Sequence, residues 1–387
     1  MTRKKILWLC SWYPGKTEPF NGDFIQRHAR AAALYNDIYV IHAIETDSVK
    51  IKETTGEISQ SAGLTEKLIY IKRKNSWWSR MMGHYRWLSM FRQAIRDYIR
   101  ENGKPDLVHV NVPMKAGLFA LWMKSKYGTR FIVTEHWGIY NDVERLNYTG
   151  RSETFKHYTK KIFDKAVKFI SVSRYLGEGV NRMVIPKEFE IVPNVTDTDL
   201  FFYKERSATP FRFIHVSNMV ALKNAEGILE AFQSLQGKYK DVELIMVGDT
   251  DPGIRDHAKR IGLQPGSVFF KGEVPYEQVA RQMQGSDCFI LFSNIENSPC
   301  VIGEALCCGL PVIASRVGGV PELLDERNSL LIEKGDTAAL TATMEKVISG
   351  RTNYNHKKIA EDARGKFSYM VIGKKLDEIY SGVIATS

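Results

Sequence analysis

The chain has 387 residues, 44% of them hydrophobic and 25% charged, the make-up of an ordinary soluble protein with enough length for two domains. No uninterrupted apolar run reaches the length of a membrane span, and the five cysteines (Cys10, Cys288, Cys300, Cys307 and Cys308) lack the spacing of a disulfide framework or a zinc site, which fits a reducing, cytoplasmic compartment. The formal net charge of +10 is the one unusual bulk property and calls for a polyanionic partner: nucleic acid, an anionic membrane surface or a phosphorylated substrate.

The opening "MTRKKILWLCSWYPG" has the basic start of a signal peptide, but its apolar run is short, Trp-rich and followed by no small-residue cleavage site. It reads as a first buried strand. Further strands follow at "DIYVIHA", "KLIYIKR", "LVHVNV", "RFIVTEH", "KFISVS" and "FEIVPN". After them comes a polar, turn-rich stretch, "TDTDLFFYKERSATPFRF". The second half repeats the pattern with "FRFIHVS", "VELIMVG", "SVFFKG", "CFILFS", "PVIAS" and "SLLIE". Many of these runs are apolar on both faces, as parallel strands covered by helices must be, and stretches such as "AEGILEAFQSL" have the length of crossover helices. The expectation is two doubly wound α/β domains, residues 1–197 and 205–366. A last helix over 367–387 is periodic at Met370, Leu376, Ile379 and Val383.

The chemistry concentrates in "NIENSPCVIGEALCCGLPVIASRVGGVPE", where Glu296 and Glu304 stand eight residues apart. Ser298 is a suitable N-cap, Pro299 suits a first helical position, and Gly309 with Pro311 supplies the stop. A helix starting at the C-terminal edge of a parallel sheet presents free N–H groups to a phosphate. Glu304, six residues past the cap, lies roughly 9 Å along the axis from it. Glu296 precedes the cap. Two acids straddling one anion-binding point suit a diphosphate with a hydroxyl-rich ring at each end, because carboxylates accept hydrogen bonds from vicinal hydroxyls.

That segment resembles the Glu-x7-Glu signature of glycosyltransferase family 4, retaining enzymes of the GT-B fold. "SNMVALKN" is similar to the family's diphosphate loop, "IVPNVTDTDLF" to its domain-linking segment, and "TEHW" to the place of its N-domain histidine. The resemblance implies two Rossmann-like domains facing across a cleft, with a last helix crossing back onto the first. It implies that Glu304 holds the ribose, and that Glu296 faces the donor sugar with backbone groups around Asn297, Ser298 and Cys300. Val274 would meet the base and Lys223 the diphosphate. His136 would contact the transferred sugar, and Gly22 in "EPFNGDF" would allow a phosphate to approach. Two departures from the family pattern stand out. Asn218 replaces an arginine in the diphosphate loop, and Ser298-Pro299 replaces Phe-Gly after the first acid.

The implied activity is retaining, metal-independent transfer from a UDP- or GDP-sugar to a glycan or lipid-linked acceptor in cell-surface polysaccharide synthesis, with no cofactor. Three rivals compete. Asp197–Asp199 and Asp249–Asp251 have the Asp-x-Asp spacing of a metal-dependent GT-A transferase, a sugar-nucleotide epimerase shares the two-domain architecture, and the basic charge fits a nucleic-acid-binding protein. No nucleic-acid-binding signature supports the last, so no nucleic-acid partner is expected. From Lys72 to Arg100 eight residues are Lys or Arg and only Asp97 is acidic, with Trp77, Trp78 and Trp87 interleaved. Lys72, Arg73, Lys74, Trp77, Trp78 and Arg80 are thus candidates to face an anionic membrane, peripherally and on the inner face. The alternative is that Trp87, Leu88 and Phe91 pack an ordinary helix while the arginines face water.

Overall fold

A computed structural model describes residues 3–73, 77–141, 147–205, 209–249, 252–350 and 353–386, with the backbone alone for 77–82 and 84 in the second helix. The chain forms two compact units. Unit 1 joins residues 1–195 to 369–387, and unit 2 is the continuous stretch Thr196–Ser368 between them.

Unit 1 contains β1 (Lys5–Cys10), α1 (Asp23–Ala33), β2 (Asp37–Thr46), β3 (Thr55–Ser61), β4 (Leu64–Lys72), α2 (Trp77–Asn102), β5 (Leu107–Asn111), α3 (Ala116–Tyr127), β6 (Phe131–Glu135), α4 (Glu153–Lys165), β7 (Lys168–Ser171), α5 (Arg174–Met183) and β8 (Phe189–Ile191). Its sheet runs β3-β4-β2-β1-β5-β6-β7-β8. β1 is paired in parallel on both sides, Ile6 opposite Ile38 and Leu107, so it must be apolar on both faces. Leu7 and Leu9 point into the core covered by α2 to α5; Ile6, Trp8 and Cys10 point into the one covered by α1 and the last helix. Each such fully buried aliphatic side chain contributes about 1.5–3 kcal/mol.

β3 is the one strand absent from the sequence reading. It pairs antiparallel with β4 and carries "TGEISQS", almost wholly exposed, so it has no apolar face to betray it. The basic segment also differs from expectation. Trp87 is buried in the core with its indole N–H donating to the Ala43 carbonyl at 3.1 Å, and Phe91 stacks on Phe119 at 4.3 Å. This half of α2 packs as an ordinary amphipathic helix.

Unit 2 contains β9 (Phe211–Val216), α6 (Ala225–Gln233), β10 (Val242–Val247), α7 (Gly253–Arg260), β11 (Val268–Phe270), α8 (Tyr276–Gln284), β12 (Cys288–Leu291), α9 (Cys300–Cys307), β13 (Val312–Ser315), α10 (Val320–Leu323), β14 (Ser329–Ile332), α11 (Thr337–Ile348) and α12 (His356–Phe367). Its sheet is β11-β10-β9-β12-β13-β14, every pairing parallel. A complete sheet in each unit sets aside the GT-A alternative, which has one nucleotide domain.

The last helix, α13 (Tyr369–Ala385), belongs to unit 1 and lies against α1. Its buried positions are Ile372, Gly373, Leu376, Ile379 and Tyr380; Met370, expected on that face, is 67% exposed. Lys4 reaches Asp377 at 2.7 Å, and the Tyr380 hydroxyl meets Nδ1 of the buried His109 at 2.7 Å. Nε2 of His109 meets the Thr134 hydroxyl at 2.6 Å, so both ring nitrogens are satisfied. A Cβ at Gly373 would overlap the carbonyl oxygen of Ala31. Gly373→Ala is therefore expected to lower stability by about 1–3 kcal/mol in thermal denaturation, as overpacking does. Gly382→Ala on the same helix, where a Cβ meets nothing within 4 Å, should be neutral or slightly stabilising.

Candidate active site

In each sheet the winding direction reverses once, and loops leaving the two strands at the reversal are forced to be neighbours at the C-terminal edge. In unit 2 the reversal lies between β9 and β12. The loop after β9 is Ser217–Asn224 and the loop after β12 runs from Phe292 to Pro299, so the order of strands alone brings Lys223 beside Glu296. The Lys223 ammonium donates to Glu296 Oε1 at 2.6 Å, and the Ser293 hydroxyl donates to the same oxygen at 2.7 Å. The loops are stitched by the Asn294 amide on the Leu222 carbonyl at 2.7 Å. The Gly319 amide, from "SRVGGVPE" after β13, donates to the Glu296 carbonyl at 3.0 Å.

Glu296 and Ser298 are buried, and Asn297 and Cys300 are half-buried. The helix begins one residue later than its sequence predicts. Pro299 is the N-cap, extended at φ −69° and ψ 120°, which places Ser298 one residue outside the cap position. Glu304, 1% exposed, sits mid-helix. The stop at Gly309 is as expected: its amide donates to the Leu306 carbonyl at 2.8 Å and that of Leu310 to Ala305 at 3.0 Å. Val274 lies half-buried in the loop between β11 and α8.

Of the Asp-x-Asp pairs, Asp197 accepts from the amides of Asp199 and Leu200 as turn chemistry. Asp249 is buried, 2.6 Å from Arg255, and accepts from the Gly272 amide at 2.7 Å; Asp251 lies outside the described residues.

Unit 1 reverses between β1 and β5. Here the Ser11 hydroxyl donates to the Val112 carbonyl at 2.7 Å and accepts from the Ala116 amide at 3.0 Å, tying the two loops together. Gly22 is the left-handed N-cap of α1, φ 75°, and a Cβ there would come within 2.8 Å of the Trp12 and Tyr13 backbone. Only glycine lets that turn close on β1. His136, directly after β6, is 8% exposed and packs against Phe24 (5.0 Å between ring centroids) and His28 (5.5 Å). The structure thus groups Gly22 and His136 around the start of α1, and Lys223 and Glu296 at the unit 2 reversal.

The basic stretch is placed less uniformly than its sequence implies. Lys72 ends β4 with its ammonium on the backbone carbonyls of Asp47 (3.0 Å) and Ser48 (2.9 Å) in the loop after β2. Arg73 is exposed, 3.8 Å from Glu45. Trp77, Trp78 and Arg80 begin α2, and Lys74 lies outside the described residues.

Sequence reasoning missed Glu135, the fully buried last residue of β6. Its Oε1 accepts from the amides of His136 (2.8 Å) and Trp137 (2.9 Å), and its Oε2 accepts from the Tyr140 hydroxyl at 2.8 Å, so it fixes the backbone that carries His136. A carboxylate closing a short, mostly apolar strand was the available signal. Burial pushes this acid up to about 7 against the opposing pull of its three donors. Burial also drives His28, His42 and His215 down to about 4 and His109 to about 3, and His136 well below its ordinary value. His136 is therefore a neutral imidazole at physiological pH.

With this geometry in place, relatives become informative. The family model described as "Glycosyl transferases group 1" matches residues 197–366, and "Glycosyltransferase Family 4" matches residues 51–200. The chain belongs to glycosyltransferase family 4. Among similar proteins, N-acetyl-alpha-D-glucosaminyl L-malate synthase of Bacillus anthracis is 26% identical over 67% of this chain and 69% of its own. TuaC of Bacillus subtilis, a glycosyltransferase provisionally assigned to teichuronic acid biosynthesis, is 25% identical over 92% and 90%. The solved sucrose-phosphate synthase of Thermosynechococcus elongatus superposes with a TM-score of 0.76 at 19% identity, covering 99% of this chain and all of that one. The fold is GT-B, and the protein is a glycosyltransferase.

The acid at the end of β6 makes a testable contribution to this glycosyltransferase's stability. Below its ordinary value of 4.5 Glu135 is protonated in folded and unfolded chains alike; between 4.5 and about 7 the folded chain alone keeps the proton. Its contribution is thus present at low pH and lost as pH rises through about 7. The depressed histidines act oppositely: stability present above 6.5 is lost as pH falls toward about 4. Glu135→Gln should leave the acid limb of a melting-temperature profile in place. The wild type should be destabilised relative to the variant, by on the order of 2 kcal/mol, as pH goes from 5 to 8. Parallel profiles over that window would show that Glu135 titrates at its ordinary value.

Proposed function

We propose that this glycosyltransferase moves a sugar with retention of configuration from a UDP- or GDP-sugar to a glycan or lipid-linked acceptor, without a metal ion or other cofactor. The observation that carries the reading is the Lys223–Glu296 pair, held at 2.6 Å beside the start of α9 by the strand order of unit 2. An ammonium and a helix N-terminus favour a diphosphate, and negative charge grows on that leaving group as the glycosidic bond breaks. In this reading Lys223 carries the charge that Asn218 does not. Glu296 and the backbone of Asn297, Ser298 and Cys300 hold the donor sugar, Glu304 takes the ribose hydroxyls, and Val274 meets the base. Unit 1 supplies Gly22 toward a phosphate and His136 toward the transferred sugar. A neutral imidazole can both donate and accept hydrogen bonds to sugar hydroxyls. Support for a nucleotide-sugar donor comes from the GT-B neighbour HepE of Anabaena, solved in complex with UDP and with UDP-glucose.

Calorimetric titration of UDP- and GDP-sugars in excess EDTA tests donor and metal together. Binding is expected to persist in EDTA, and Glu304→Ala should weaken it by roughly 1–3 kcal/mol, the range for lost hydrogen bonds to a charged group. Glu296→Ala should reduce turnover more than affinity. Loss of binding in EDTA would reinstate a metal, and full affinity in Glu304→Ala would remove the ribose assignment.

The acceptor side is proposed to work at the inner membrane surface, the protein being cytoplasmic and peripheral. No helix among the described residues is long and apolar enough to cross a membrane. Trp77, Trp78 and Arg80 at the start of α2, with Arg73 and Lys74 before it, form the anchor; Lys72 is set aside because its ammonium already sits on two backbone carbonyls. Each basic residue near an anionic surface contributes about 1 kcal/mol. Arg73, Lys74 and Arg80 changed together to Gln should release the protein from phosphatidylglycerol vesicles with nucleotide affinity intact. Equal partitioning of wild type and variant would reduce the stretch to a solvated face.

A further inference from the structure

Directly after His136 the chain runs into Trp137, whose amide is pinned to Glu135 at 2.9 Å. The half-buried Trp137 ring meets Trp12, from the loop after β1, at 5.5 Å and 65°. Trp12 in turn meets Phe24 at 6.5 Å. Over Trp137 lies the guanidinium of Arg151, 4.9 Å from the ring centroid, and 5.6 Å from that of Phe155 on α4. All of these groups belong to unit 1 and gather at the C-terminal edge of its sheet, around the histidine.

Arg151 is unusual in what it lacks. It is half-buried and its Nε is fully enclosed, yet among the described residues Nε has no hydrogen-bond partner and no carboxylate lies within ion-pair distance of it. Buried donors are normally satisfied, and the attraction of a cation to an aromatic face leaves the in-plane N–H groups unused. A guanidinium of this kind is suited to a planar or tetrahedral oxyanion bound through two parallel hydrogen bonds. The adjoining aromatic wall offers the flat apolar surface against which the C–H face of a sugar ring packs.

We propose that Arg151, over Trp137 and Phe155, binds the anionic group of the acceptor, so that the acceptor is a sugar bearing a carboxylate or a phosphate. The word acceptor rests on the transferase reading above; the anion site itself does not. The platform selects charge at the acceptor, whereas Lys223 meets charge at the donor.

The experiment is equilibrium binding followed by intrinsic tryptophan fluorescence, without nucleotide. The probes are D-glucuronate, D-glucose 6-phosphate, D-glucose and inorganic phosphate. At low salt one of the two anionic sugars should bind about tenfold tighter than glucose, and high salt should narrow the gap. Preference for glucuronate assigns a carboxylate, and preference for the phosphate ester a phosphate. Arg151→Gln should remove the preference and leave UDP-sugar affinity unchanged. Should that variant fail to fold, Arg151→Lys, which keeps the charge without the fork, should lose the preference severalfold. Equal binding of the anionic sugars and glucose by the wild type overturns the proposal, as does an unaltered preference in either variant. Inorganic phosphate binding as tightly as glucose 6-phosphate would reduce the site to an ion site only and remove the acceptor. Loss of donor binding in the calorimetry would sink the transferase reading and leave this comparison standing.

Discussion

A parallel sheet with helices on both faces can change its winding direction only by starting again beside its first strand. Everything chemical in this protein follows from where that happens. In unit 2 the restart sets the loops after β9 and β12 edge to edge, and a lysine and a glutamate some 70 positions apart in the chain become a 2.6 Å pair. In unit 1 the restart sets the loops after β1 and β5 together, and Ser11 bridges them with its hydroxyl. No local sequence preference could create either meeting. It is a property of strand order, and right-handed crossovers leave few ways to arrange it.

The second constraint is what the interior does with polar groups. His109 links Thr134 to Tyr380, His42 bonds the Cys10 carbonyl, and His215 joins the Ile290 carbonyl to the Ser217 hydroxyl. Each ring is neutral and occupied, so these histidines behave as shaped spacers with hydrogen-bonding edges rather than as proton carriers. Ser217 also accepts the Met219 amide at 3.0 Å, so a buried ring in β9 sets the turn that leads to Lys223. Rigidity in the site loops therefore originates inside the sheet.

Much of this was legible because buried parallel strands have to be apolar on both sides: the runs around Leu7, Val110, Val133, Ile214 and Ile290 announce themselves. β3 did not, since an exposed edge strand has no burial to record in its composition. The two glutamates and Lys223 could be singled out from motif and loop position, but their pairing could not, because strand order is non-local. Ser298 misled because Ser-Pro suits a cap, while the proline took an extended conformation and became the cap itself. Trp87 misled because aromatic and basic residues alternate in any amphipathic helix with a basic outer face. Trp87, Phe91, Ile95 and Tyr98 fall on one side of α2, all buried. Glu135 and Arg151 were invisible for a shared reason: their importance lies in burial, and a charged letter in a sequence carries no depth.

Unit 2 is inserted whole between Val195 and Tyr369, and α13 completes unit 1 only after that insertion. This order has a consequence for synthesis. When residues 1–195 have left the ribosome, Ile25, Ala29 and Ala32 on α1 still lack the Ile372, Leu376 and Ile379 side chains that share their core. They stay uncovered while 173 further residues of a self-contained unit are made. At roughly 5–20 residues per second that is on the order of ten to thirty seconds. By the end of that interval the newborn chain carries one finished domain and one whose apolar seam has been open throughout, which makes the first half of this protein, and not the second, the natural client of a chaperone.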